Sequence, residues 1–256
     1  MEEKNLAAFI QHHRTYTKIN TLYKRYTEGP LKNQIIIGDF SRPEFKYLYN
    51  CLWDAEEKVD GTNVFWYWDG TTLEIHGKSA NADIPKHLKK KMEELVTVEM
   101  MQEIFPAEYD ENGNKKELNV RIYGEGYGVK IQKGGNYIKN DCGVRVFDVM
   151  INGWWLDRDA KLDIAAKLNL PTCYYYGQMT LKEAEEMVRR GFKSPIAENT
   201  EYEAEGLVLK PTVQLFNKQG ERIIVKIKTV DYRNLMAKSK ACLLYTSDAA
   251  DDRISV

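Results

Sequence analysis

Two runs rich in β-forming residues, 63–68 and 71–77, flank Asp69-Gly70, a dipeptide suited to the positive backbone angles of a tight turn. They predict a β-hairpin. From Pro85 the spacing changes: Leu88, Met92, Leu95 and Val96 share one face of a helix running to about Met101. Residues 118–123 and 144–151 read as strands. Asp157 is placed to cap a helix with Leu162, Ala165 and Leu168 on its buried side, and Thr180-Leu-Lys-Glu183 is a capping box whose helix Gly191 ends. Two further strands, 207–210 and 222–228, are joined by a loop that turns at Gln219-Gly220. The first fifty residues mix aromatics such as Tyr16, Tyr23, Phe40 and Tyr49 with charges, without a clean period. Strands with interspersed helices and no regular βαβ alternation predict an α+β fold on antiparallel sheets. There is no internal repeat.

Composition narrows this little. A chain of 256 residues with 43% apolar residues can bury a sizeable core. With 37 basic and 38 acidic residues, a nucleic-acid partner has to be met by a local basic surface and not by the global field. Cys51, Cys142, Cys173 and Cys242 form no CxxC pair and read as free thiols in a reducing compartment. No apolar run reaches membrane-spanning length and the N-terminus lacks a secretion pattern, so a soluble cytoplasmic protein is expected. Residues 242–251, CLLYTSDAAD, have neither period and resemble a translated sequencing adaptor. The expectation is a domain over 1–234, the start of an interrupted C-terminal region over 235–241 and a non-native tail over 242–256.

The candidate chemistry lies in four places. Glu57-Lys58-Val59-Asp60-Gly61-Thr62-Asn63 offers a lysine beside a glycine that lets a nucleotide approach the backbone. In Arg222-Ile-Ile-Val-Lys-Ile-Lys228, alternation puts Ile223, Val225 and Ile227 on one face and Lys226 and Lys228 on the other. Two adjacent ammonium groups suit a phosphate, and they favour the neutral form of a third amine nearby, which a lysine nucleophile requires. Glu205 stands at the mouth of an apolar strand, where a carboxylate can hold a divalent cation against a triphosphate. Tyr123-Gly124-Glu125-Gly126 is not followed by a helical pattern, which argues against a dinucleotide-binding loop. Glu125 suits a ribose, and Phe147 is an aromatic that can stack on a base. Each of these, taken alone, has an ordinary structural explanation.

In this order, the elements resemble the motifs of the covalent nucleotidyltransferases: DNA ligases, capping enzymes and, most of all, phage and prokaryotic ATP-dependent RNA ligases of the Rnl2-like type. The likeness runs from about Lys18 to Arg233, including residues 37–45 (IGDFSRPEF) and 124–137 (GEGYGVKIQKGGNY). It implies an α+β nucleotidyltransferase (ATP-grasp-like ligase) fold with antiparallel sheets and flanking helices. It implies that Lys58 takes AMP from ATP, that Lys226 and Lys228 hold the α-phosphate, and that Glu205 serves adenylation with Mg²⁺ or Mn²⁺. Glu57, Asn63, Lys78, Glu125 and Phe147 are the remaining nucleotide-binding positions, with Glu125 on the ribose and Phe147 on adenine. Asparagine at 63 matches the RNA ligases, where DNA ligases and capping enzymes usually have arginine. Lys78 stands where many relatives have arginine, keeping the charge without the bidentate fork. The implied reaction joins 5′-phosphate and 3′-hydroxyl RNA ends, nicked or single-stranded, in a bacterial cell or phage-infected host. With little sequence after the last lysine motif, self-adenylation with poor sealing is expected. A DNA ligase and an inactive nucleic-acid-binding relative are the alternatives.

Overall fold

The computed structural model describes residues 16–78, 83–132 and 137–235. The adaptor-like stretch, and all of the expected C-terminal region beyond residue 235, lie outside them. In chain order the strands are β1 (Asn20–Thr21), β2 (Tyr23–Arg25), β3 (Ile35–Phe40), β4 (Leu52–Glu57), β5 (Thr62–Trp68) and β6 (Leu73–Gly77). They continue with β7 (Val120–Gly128), β8 (Cys142–Ile151), β9 (Trp154–Trp155), β10 (Tyr175–Thr180), β11 (Gly206–Pro211) and β12 (Val225–Lys228). The helices are α1 (Pro43–Tyr47), α2 (Lys86–Leu95), α3 (Val98–Ile104), α4 (Arg158–Lys167) and α5 (Leu181–Arg190). The chain divides into two compact units. Among the described residues, one comprises 16–18, Val59–Tyr174 and Ser194–Tyr202; the other comprises Ile19–Lys58, Tyr175–Lys193 and 203–235.

The first unit holds an antiparallel sheet in the order β6-β5-β7-β8-β9. The expected hairpin forms: Asp69 Oδ1 accepts from the backbone N–H groups of Thr71 and Thr72, both at 2.8 Å, and Gly70 has φ 92°. Alternation sends Val64, Trp66, Trp68, Val120, Ile122 and Val146 to one face, where α2, α3 and α4 cover them with Leu88, Met92, Met101, Ile164 and Ala165. The indole N–H groups of Trp66 and Trp68 donate to the carbonyls of Met92 and Phe105 at 3.1 and 3.0 Å, so both tryptophans are buried without an orphaned donor. The helix expected over 85–101 is two helices. Val96 is extended, and the Thr97 side chain accepts from the N–H of Met100, which caps α3 and restarts the chain in a new direction.

In the second unit the sheet order is β1-β12-β11-β4-β10, antiparallel except for the parallel β1–β12 pair; β2 and β3 pair separately. The apolar face carries Trp53, Ala55, Leu207, Leu209, Val225 and Ile227, packed against Leu181, Ala184 and Val188 of α5. Both predicted features of α5 are present: the reciprocal Thr180–Glu183 capping box and Gly191 at its end. The predicted 222–228 strand shortens to β12, with Ile223 and Ile224 buried just before it.

Candidate functional site

The polar face of the second unit's sheet assembles much of the predicted chemistry. Register pairs Lys226 with Val208 and Lys228 with Gly206 across β11–β12, and Glu56 with Val208 across β4–β11. Lys58 extends β4 by one residue, its N–H donating to the Gly206 carbonyl at 2.9 Å. Asp54, Glu56, Lys58, Lys210, Lys226 and Lys228 therefore share one face, as side-chain alternation requires. Glu205, immediately before β11, joins the two outermost lysines. Its Oε2 lies 2.6 Å from Lys58 Nζ and its Oε1 lies 2.7 Å from Lys228 Nζ. One carboxylate thus holds two ammonium groups, all three side chains keeping partial access to solvent. Lys210 and Glu56 form a looser pair at 3.8 Å.

Glu57 goes the other way. Its carboxylate lies on the apolar face, only 1% exposed, where Oε2 accepts from the Tyr176 hydroxyl at 3.3 Å. It is next to Lys58 in sequence, but alternation turns its side chain away from the face that carries Lys58.

The glycines of these motifs answer to packing. A Cβ at Gly61 would stand 2.2 Å from the carbonyl oxygen of Gly126, and one at Gly206 would stand 2.0 Å from that of Ile227. Both obstacles are backbone, which cannot swing aside. Gly206 also has φ 150°, unfavourable for any side chain. The two glycines let the chain close up beside Lys58 and beside Glu205. Gly124 and Gly126 stay within β7 and make room for Val144 and Leu88, so the glycine-rich stretch is strand and not loop.

In the first unit the face opposite the helices collects Asn63, Glu125 and Phe147. Asn63, Glu125 and Arg145 are direct cross-strand neighbours on β5, β7 and β8. The Asn63 Oδ1 and the Arg145 Nε are buried without a hydrogen-bond partner, while Arg145 Nη1 donates to the Thr172 carbonyl at 2.8 Å. Between Tyr123 and Gly124 the β7–β8 register slips by one residue. Tyr123 faces Asp148 and Gly124 faces Val146, which leaves Phe147 as the extra residue of a bulge. Phe147 is half-buried, its ring 5.1 Å from that of Tyr16. Lys78 is exposed, one residue past the end of β6. Sequence reasoning passed over Arg145. Its signal was weak: Arg145 is a lone cation in a largely apolar strand, and its pairing with Glu125 appears only in the register of β7 and β8.

Among the described residues no three His, Cys, Asp or Glu side chains cluster as a metal cage. Mg²⁺ commonly binds through one or two carboxylates together with substrate phosphates, and Glu205 on the lysine-bearing face fits that mode.

The RNA ligase family pattern matches residues 52–228. No curated protein matches the chain. Among the solved structures that share its fold are Naegleria gruberi RNA ligases. One with PPi has TM-score 0.56 at 16% identity over 87% of this chain and 64% of its own. A lysine-to-alanine mutant with ATP and Mn has TM-score 0.55 at 15% identity, covering 85% of this chain and 62% of its own. An apo mutant of the R4a ligase has TM-score 0.52 at 15% identity over 74% and 53%. The chain therefore spans less than two thirds of the length of these structures.

Proposed function

Because this chain belongs to the RNA ligase family, whose pattern spans residues 52–228, we propose that it is an ATP-dependent RNA ligase that joins 5′-phosphate and 3′-hydroxyl ends through AMP carried on Lys58. The observation that carries this reading is the Glu205 carboxylate shared between Lys58 and Lys228. Lys58 Nζ attacks the α-phosphorus of ATP. An N–P bond forms as the P–O bond to pyrophosphate breaks. The ammonium first sheds a proton to water, which its partial exposure allows, and the contact with Glu205 Oε2 at 2.6 Å holds the amine in place. Lys226 and Lys228 face the α-phosphate and offset the charge that grows on its oxygens in the transition state. Asn63, Glu125 and Phe147 serve the nucleoside, with the Asn63 Oδ1 available as an acceptor. A divalent ion entering with the triphosphate, its carboxylate ligand being Glu205, would neutralise phosphate charge. The AMP then passes to an RNA 5′-phosphate, and a 3′-hydroxyl displaces it.

Incubation with α-labelled ATP and Mg²⁺ tests the first step. A covalent label is expected on the wild type, reversed by added pyrophosphate and lost in Lys58→Ala. A wild type that folds, binds ATP and stays unlabelled would refute the proposal. Nicked duplexes differing only in ribose or deoxyribose at the 3′-hydroxyl side test the finer reading of RNA repair by an enzyme of the phage type. Equal sealing of both, or preference for DNA, would count against RNA as the natural strand.

A further inference from the structure

Tyr16 lies outside every sequence motif and outside the residues that the family pattern matches. Yet it is only 5% exposed, and it closes around the bulge of β8. Its hydroxyl donates a short hydrogen bond to Oδ2 of Asp148, itself 2% exposed. Its ring meets those of Phe147, Tyr123 and Trp155 edge-on, with centroids at 5.1, 5.2 and 5.6 Å. Tyr123 lies nearly parallel to Phe147, 6.5 Å away. A bulge residue is released from the ladder's register, so its neighbours must set its ring orientation. Here Tyr16 bonds to the residue after Phe147 and packs on Phe147 itself. We propose that Tyr16 is a positioning residue for the nucleotide, latching onto Asp148 so that Phe147 presents a fixed face to the adenine. This rests on the reading that Phe147 stacks on the base.

The test uses 2-aminopurine riboside triphosphate, whose fluorescence is quenched by stacking, alongside self-adenylation kinetics with ATP. Tyr16→Phe removes only the hydroxyl. It should weaken binding of the probe about three- to tenfold and reduce its quenching. The KM for ATP should rise by a similar factor, with kcat within about twofold. Asp148→Ala, which removes the acceptor, should behave alike, and the double variant should be no worse than either single one, as expected of one shared interaction. A Tyr16→Phe protein that melts lower but binds and stacks the probe as the wild type does would overturn the proposal, leaving Tyr16 a merely structural residue. A wild type that quenches the probe but never forms the covalent adenylate would sink the ligase reading while leaving the Tyr16 latch to stand or fall on the binding data. If the wild type fails to quench the probe, the latch falls.

Discussion

At the scale of single residues, the decisive arrangement is two cations sharing one anion. Glu205→Gln keeps the shape but removes the charge between Lys58 and Lys228. The rate of adenylate formation should fall by about a hundredfold, measured in single-turnover reactions with labelled ATP. Gly61→Ala should be as damaging without touching a charge, because the new methyl meets the Gly126 carbonyl at 2.2 Å. Loss of adenylation together with a lowered melting temperature would show it; an unaffected Gly61→Ala would refute the steric account. Much of this was legible. Alternation alone put Lys226 and Lys228 together and buried Val225 and Ile227 opposite. The direction of Glu57 was not, because it depends on knowing that a strand precedes Lys58. In Leu52-Trp-Asp-Ala-Glu-Glu57 two consecutive carboxylates mask the alternation, and Glu57 is buried against a tyrosine that no local rule could supply.

Elements that announce themselves do so through their ends. The caps at Asp157 and Thr180 were readable because a side-chain oxygen satisfies a backbone N–H within three residues, a purely local bargain. Thr180→Ala should lower stability by about 1 kcal/mol, read from the midpoint of denaturant unfolding, while Lys182→Ala on the same helix should leave it nearly unchanged. The break between α2 and α3 was missed for a related reason. The apolar period runs on through Val96, and only Thr97, acting as a cap, resets it. Strands β4 and β10 were hidden more deeply. β4 is an inner strand whose partners β10 and β11 lie more than a hundred residues further along the chain, so their pairing leaves no periodic trace in either segment.

Over the length of the chain, the second unit is tied together by a carboxylate and its phenols. Glu185 on α5 accepts from the hydroxyls of Tyr23 and Tyr49, both at 2.7 Å, joining three parts of the sequence. Burial, followed by the bond to Glu185, pushes Tyr49 up to about 12 and raises Tyr23 further; burial and the same carboxylate also raise Tyr232. A phenol whose value rises on folding stabilises fully below its unfolded value near 10, and that stabilisation is lost as the pH climbs through the folded value. Stability should therefore hold to about pH 10 and decline toward pH 12 and above, followed by tyrosinate absorbance during alkaline unfolding. Glu185→Gln should bring tyrosine ionisation to lower pH; an unchanged titration would show that the carboxylate has no such influence. Nothing local foretold this cluster. The tyrosines belong to segments with no clean period, and burial of Glu185 follows from which helix face meets which sheet.

The close approaches at Gly61 and Gly206 also bear on protein engineering. A designer who copied the lysines and the glutamate onto another scaffold would reproduce the charges and still not obtain the geometry. Lys58 and Glu205 each stand close to a point where two stretches of the backbone almost touch, and only a residue without a side chain fits there. A graft has to bring those narrow crossings with it.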